Sequence, residues 1–127
     1  MISFVIGNGN SRSLFSLENL RPLGTIYGCN ALYRDFIPDV LVAVDERMIR
    51  ELAEQNLPCK VYVRKLFGTQ GETKFEVIKP SLGWASGPTA VWIATQSATS
   101  VICMIGFDCS SLENGNINNI YAGSINR

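Results

Sequence analysis

Apolar residues come along this chain in short blocks, and the spacing inside each block sets the element it predicts. Ile2, Phe4, Val5 and Ile6 form a run that stops abruptly at Gly7-Asn8-Gly9-Asn10-Ser11. A buried first strand running straight into a glycine-rich turn is how nucleotide-binding α/β domains begin. Ser16 to Leu20 has room for a turn or two of helix, which Arg21-Pro22-Leu23-Gly24 ends. Thr25 to Cys29 reads as a second strand and Ala31 to Phe36 as a short helix. Val40 to Val44 is an uninterrupted aliphatic run, as expected of a strand covered on both faces inside a parallel sheet. The period then changes. Between Glu46 and Asn56, Ile49, Leu52 and Ala53 share one helical face and the charged residues take the other. Cys59 to Val63 alternates, as a fourth strand. Arg64 to Pro80, broken by Gly68 and Gly71, reads as a loop or hairpin inserted into the core. Ser86-Gly87-Pro88 opens a helix running to about Ser97, with proline in the first turn where its missing N–H costs nothing. Val101 to Ile105 is the last core strand. From Cys109 to Arg127 the chain is rich in Ser, Asn and Gly and predicts no element.

Strands alternating with helices imply a parallel sheet with right-handed crossovers. The expected fold is therefore α/β: one Rossmann-like domain over residues 1–127, with a parallel sheet of about five strands and helices on both faces. Residues 109–127 form a polar tail to that domain. Open parallel sheets bind ligands outside the carboxyl ends of their strands, at the point where strand order reverses. The residues just past those ends are Asn8 to Ser11, Asn30, Asp45 and Gly106 to Asp108, with the Ser86-Gly87 helix start expected at the same edge.

Each of these residues has a plain structural reading beside the functional one. Gly7 and Gly9 let a backbone approach a ligand without Cβ interference, and the following amides suit a phosphate. The loop has neither the third glycine of the dinucleotide fingerprint nor the lysine of a P-loop. It equally suits a tight turn with Ser11 or Ser13 as helix cap. Asp45 and Ser86 both stand where an N-cap is expected, and Asp108 where a turn residue is. An Asn at position 30 carries both donors and acceptors for reading a ligand. Tyr121 is either a ligand contact or an amphipathic surface anchor. Trp84 and Trp92 suit core or pocket wall. Arg12, Arg34 and Arg64 are either phosphate clamps or solvated surface.

Composition narrows the chemistry. At 127 residues and 46% apolar, the chain can bury one sizeable core. Eleven basic residues balance eleven acidic ones, which removes any broad electrostatic case for nucleic acid or a membrane surface. No leader-like or bilayer-length apolar run is seen, so a soluble, cytoplasmic protein is expected, in the host cytoplasm if viral. The four cysteines, Cys29, Cys59, Cys103 and Cys109, contain no CxxC pair and are expected to be free thiols, with Cys109 at a pocket mouth. Histidine is absent, which excludes Ser-His-Asp, Cys-His and His-ligated zinc chemistry.

The strand ends, taken together, carry a resemblance. Gly7-Asn8-Gly9-Asn10-Ser11, Cys29-Asn30, Pro38-Asp39 through Asp45, Ser86-Gly87 and Met104-Ile105-Gly106-Phe107-Asp108 resemble the nucleotide-binding half of bacterial lipooligosaccharide sialyltransferases. They are also similar to the group related to archaeal hydroxymethylpterin pyrophosphokinases, and proteins of this look occur among uncharacterised phage genes. The sialyltransferase resemblance implies roles position by position. Asn8 matches an Asn that contacts the sugar nucleotide, and Asn30 an Asn on its ribose or phosphate side. Asp45 stands where that family has an Asn near the ribose. Ser86 and Gly87 match a Ser-Gly facing the cytosine nucleotide, Gly106 and Asp108 the Gly-x-Asp of the last strand, and Tyr121 a Tyr that binds the leaving phosphate. Ser110 replaces a first phosphate-binding Tyr, and the family's catalytic His, lid and acceptor-binding part have no counterpart in these residues. The pyrophosphokinase resemblance rests on Pro38-Asp39, Asp45 and Gly106-x-Asp108, and implies carboxylates near a Mg²⁺ that bridges nucleotide phosphates.

The expectation is thus a small-molecule site for a nucleotide or nucleotide-sugar, transferase-like in scaffold and catalytically incomplete. Mg²⁺ would enter only with the nucleotide, no metal site of the protein's own is expected, and a homo-oligomer is compatible with the composition. The alternatives are a non-catalytic phage-type module, a Mg²⁺-dependent pyrophosphokinase-like transferase, or a fragment of a longer chain.

Overall fold

The computed structural model describes residues 1–109 and 117–125. Its centre is a six-stranded sheet, with every strand parallel to its neighbours. The strands are β1 (Ile2–Ile6), β2 (Gly24–Cys29), β3 (Val40–Ala43), β4 (Lys60–Val63), β5 (Glu76–Val77) and β6 (Val101–Ile105). Their order across the sheet is β5-β4-β3-β2-β1-β6. The chain steps outward from β1 to β5, then returns to the other side of β1, so the order reverses between β1 and β6. This is an α/β fold with a Rossmann-like parallel sheet, as the alternating pattern predicts.

Two α-helices cover the two faces. α1 (Glu46–Ala53) puts Met48, Ile49, Leu52 and Ala53 against Phe4, Ile6, Ile26, Leu41, Val61 and Ile105. α2 (Ser86–Thr95) puts Ala90, Ile93 and Ala94 against Val5, Tyr27 and Val42. Residues 4 and 6 of β1 face one core and residue 5 the other, which is the two-residue period of a strand buried on both sides. No helix among the described residues is long and apolar enough to cross a membrane.

The sheet has one strand more than expected. β5 is only two residues long and lies in the segment read as a loop or hairpin; it pairs parallel to β4, Tyr62 opposite Glu76. The first two predicted helices are 3-10 turns instead, over Leu17–Leu23 and Asn30–Arg34. The first runs on through Pro22, because the fixed φ of proline suits a 3-10 turn. The tail is also more ordered than its composition suggests. Ile120 donates its N–H to the Asn8 carbonyl (2.8 Å) and packs against the main core, and Tyr121 is buried. Ser110 lies outside the described residues.

Candidate functional site

Where β1 and β6 end, the two backbones touch. A Cβ on Gly7 would lie 2.6 Å from the Gly106 carbonyl oxygen, and one on Gly106 would lie 2.6 Å from the Gly7 carbonyl oxygen. Gly106 also has φ +81°, which side chains rarely adopt. Gly7 N–H donates to Ile105 O (2.7 Å) and Gly9 N–H to Gly106 O (2.9 Å). The glycines thus serve a close backbone crossing first. An open cleft of about 240 Å³ sits directly above this crossing, at the reversal point. Its floor is Gly7, Asn8, Gly9 and Gly106. One wall is Asn30 with the start of α2 at Gly87, and the other is Phe107, Asp108 and Cys109.

The loop amides do not stand open. Asp108 accepts hydrogen bonds from the Ser11 amide (3.1 Å) and from the Ser11 hydroxyl. Asn10 N–H donates to Asn118 Oδ1 (2.8 Å). The two bonds from Ser11 hold the Asp108 carboxyl below its ordinary value, the Ser11 hydroxyl contributing most. The carboxylate occupies the position at the glycine loop that the sequence offered to a phosphate. Ser11 is therefore no cap: Gly9 holds the N-cap position of the 3-10 turn Asn10–Leu14, and Ser13 Oγ donates to Asn10 O (2.7 Å).

Two asparagine amides have their orientation fixed by their partners. Asn8 Nδ2 donates to the Cys29 carbonyl (3.1 Å), so its Oδ1 points the other way, where it is buried without a hydrogen bond among the described residues. Val44 N–H donates to Ser86 Oγ (3.1 Å), and the Ser86 hydroxyl donates onward to Asn30 Oδ1 (2.9 Å). Asn30 is thereby left with its NH₂ group unused among the described residues, and it sits at φ 52°, a left-handed conformation that Asn tolerates better than most residues. Ser86, a residue expected to cap α2, instead ties the end of β3 to the end of β2; Ala85 holds the N-cap position. The amides of Ser86 and Gly87, in the first turn of α2, have no intrahelical acceptor. A Cβ on Gly87 would lie 2.9 Å from the Phe107 ring.

Among the sequence-predicted residues, Gly7, Asn8, Gly9, Asn30, Gly87, Gly106 and Asp108 line the cleft. Ser11 and Ser86 stand one hydrogen bond behind it. Asp45 is exposed beyond the end of β3, outside the lining, at the N-cap position of α1 but without a side-chain capping bond. Tyr121 is not a lining residue either: its hydroxyl donates to Asp35 Oδ2 and accepts from Arg12 Nη2 (2.7 Å). Burial first, then the bond to Asp35, pushes its phenol up to about 12. The arginines serve structure rather than the cleft. Arg12 is buried under Tyr121, Arg34 pairs with Glu51, and Arg64 Nε donates to Val44 O (3.0 Å). Of the two tryptophans, Trp84 is about half exposed and Trp92 half-buried. All four cysteines are free; Cys29 is buried and Cys109 is exposed in the cleft wall.

Sequence reasoning missed Asn118, Asn119, Cys29 and Pro88 as lining residues. The asparagines belong to the tail, which has no periodicity to read; the other two directly adjoin recognised motif residues.

The three carboxylates of the pyrophosphokinase resemblance do not fit one Mg²⁺ site. Asp39 precedes β3, at the amino edge of the sheet, where its Oδ2 accepts from Ile26 N–H (2.8 Å). Asp45 and Asp108 lie past the opposite ends of their strands. Among the described residues no group of three or more His, Cys, Asp or Glu side chains gathers in metal-binding geometry. Compared with family models, curated proteins and solved structures, the chain matches none.

Proposed function

We propose that this domain binds a nucleotide or nucleotide-sugar in the cleft at the β1/β6 reversal point, as a binding module without the catalytic parts of a transferase. The observation that carries the reading is the pair of oriented amides. Among the described residues, Asn8 has an acceptor without a donor, and Asn30 has donors without an acceptor. Such a pair complements the edge of a nucleobase or the hydroxyls of a sugar. An orphaned buried acceptor costs roughly 1–3 kcal/mol, which a ligand donor would relieve. Among the described residues the cleft lining holds no lysine or arginine and one carboxylate, Asp108. A phosphate therefore belongs at the first turn of α2, where the Ser86 and Gly87 amides have no acceptor among the described residues, and not at the glycine loop.

The restriction to binding rests on the ionisable groups. Those in the lining are Asp108 and Cys109, and Asp108 is tied to Ser11. Among the described residues this leaves no side chain positioned as a general base, whichever transferase family the scaffold resembles.

A thermal-shift panel of CMP, CDP, CTP, CMP-sugars, ATP, GTP and NAD, with and without Mg²⁺, tests the proposal. Ligand at about 100 times its dissociation constant adds roughly 2.7 kcal/mol, a rise of several degrees for a chain of this size. The expected result is a shift with cytidine nucleotides that Asn30→Ala abolishes. A Mg²⁺-dependent shift with ATP alone would favour the pyrophosphokinase-like reading, and no shift with any of them would sink the proposal.

A further inference from the structure

The cleft is not the molecule's one concavity. A groove of about 490 Å³ lies at the other edge of the sheet, beside the last turn of α2. Its cause is topological. α2 packs on β1, β2, β3 and β6. The β4–β5 connection adds no α-helix; its 3-10 turn Glu72–Lys74 leads into Phe75, which packs into the opposite core. The α2 side of the sheet is therefore left open over β4 and β5.

The walls of this groove have one chemical character. Tyr27, Tyr62 and Trp92 present three aromatic rings, and Val40 and Ile93 fill between them. Lys60 and Lys79 also line it, and no acidic side chain does. Glu76, opposite Tyr62 in the strand register, is exposed and outside the lining. The Lys60 ammonium lies 5.3 Å from the centre of the Tyr62 ring. Lys79 makes no hydrogen bond or ion pair among the described residues. Tyr27 is 5% exposed and lines the groove, and its hydroxyl makes no hydrogen bond among the described residues.

We infer that this groove binds a small planar aromatic anion, its ring held among Tyr27, Tyr62 and Trp92 and its charge by Lys60 and Lys79. The volume lies within the range of small-molecule sites and suits a one- or two-ring compound. Aromatic walls select a flat face, and the two ammonium groups, Lys60 partly offset by Glu76, select an anion over its neutral or cationic isostere. Val40 and Lys60 open their strands, so the groove is at the amino edge and is independent of the nucleotide cleft.

The test is an amide-resolved NMR titration with 1-naphthoate, 1-naphthamide and 1-naphthylmethylammonium. Naphthoate is expected to shift the amides of Val40, Lys60 and Tyr62 and the Trp92 indole, and to bind at least about tenfold tighter than the amide. Lys60→Gln with Lys79→Gln is expected to erase that preference without changing the unfolding midpoint, because both side chains are exposed. Tyr27→Phe keeps the ring and is expected to weaken naphthoate severalfold. Equal binding of the neutral amide, tighter binding of the ammonium compound, shifts confined to Gly7–Gly9 and Gly106–Cys109, or no saturable shift at millimolar concentration would each overturn the inference.

Discussion

Asp108 holds Ser11 twice, accepting one hydrogen bond from its backbone amide and one from its hydroxyl, and so closes the glycine loop with a carboxylate from within the chain. The two residues come from opposite ends of the sequence and from the two strands that flank the reversal point.

This pair predicts an acid-sensitive component of stability. The folded Asp108 pKa is lowered from an ordinary value of 3.8. A depressed pKa contributes stability that is present above the unfolded value and is lost as pH falls through the folded one. Asp108→Asn is expected to cost about 1 kcal/mol at pH 7, the size of a partly solvated hydrogen-bonded pair. It should also flatten the acid limb of a urea midpoint-versus-pH curve below pH 3.8. An unchanged acid limb in the variant would show that other carboxylates dominate there.

The crossing of Gly7 and Gly106 makes a second prediction. Each lacks room for a Cβ, since the obstacle at 2.6 Å is backbone and cannot rotate away. Gly7→Ala is expected to cost about 1–3 kcal/mol through overpacking. Gly106→Ala should cost more, because its φ of +81° adds strain to the clash. Gly83→Ala is the control: it has a positive φ but nothing within 4 Å, so its cost should stay near 1 kcal/mol. Urea denaturation of the three variants ranks them, and a Gly83→Ala loss as large as that of Gly106→Ala would remove the packing argument.

Much of this was legible in advance because the core strands carry dense aliphatic runs. Val40 to Ala43 reads as a strand covered on both sides, whereas Gly7 reads as room for a ligand, and its crossing with Gly106 is visible only in the structure. β5 was not legible. Two residues, Glu76 and Val77, form no pattern, and their pairing with Tyr62 and Val63 is decided by tertiary contact. The roles of Arg12 and Tyr121 were hidden for a different reason. Arginine is ordinarily a surface residue, and nothing local to Arg12 says that a tyrosine 109 positions later will cover it. The same holds for Asn118: its value lies in one bond to the Asn10 amide. Single long-range polar contacts leave no periodic trace.

The Arg12–Tyr121 contact predicts alkaline sensitivity. Arg12 is 6% exposed, its Nε is unpaired among the described residues, and its Nη2 is shared between the Tyr121 hydroxyl and Asp35 (3.5 Å). Tyr121→Phe removes one of these acceptors from a buried cation and is expected to cost about 1–3 kcal/mol. The folded Tyr121 pKa is raised from 10.0 to about 12. A raised pKa contributes stability that is full below the unfolded value and is lost as pH rises through the folded one. The wild type should therefore lose stability between about pH 10 and 12. Phenolate absorbance should show a late-titrating tyrosine that Tyr121→Phe removes.

The four thiols supply an accessible report on the nucleotide cleft. Burial pushes the Cys29 thiol up to about 12, and burial likewise raises Cys59. A thiol attacks as its thiolate, so both should be slow with iodoacetamide at neutral pH. Cys103 is half-buried in β6. Cys109 is exposed and lines the cleft. Intact-mass labelling should therefore show one fast adduct, lost in Cys109→Ser. Under the proposed function, a saturating cytidine nucleotide slows that adduct severalfold. Naphthoate, bound at the opposite edge of the sheet, leaves it unchanged. If Cys109 reacted at the same rate with nucleotide bound, the nucleotide would have to sit elsewhere, and the oriented amides of Asn8 and Asn30 would need another explanation.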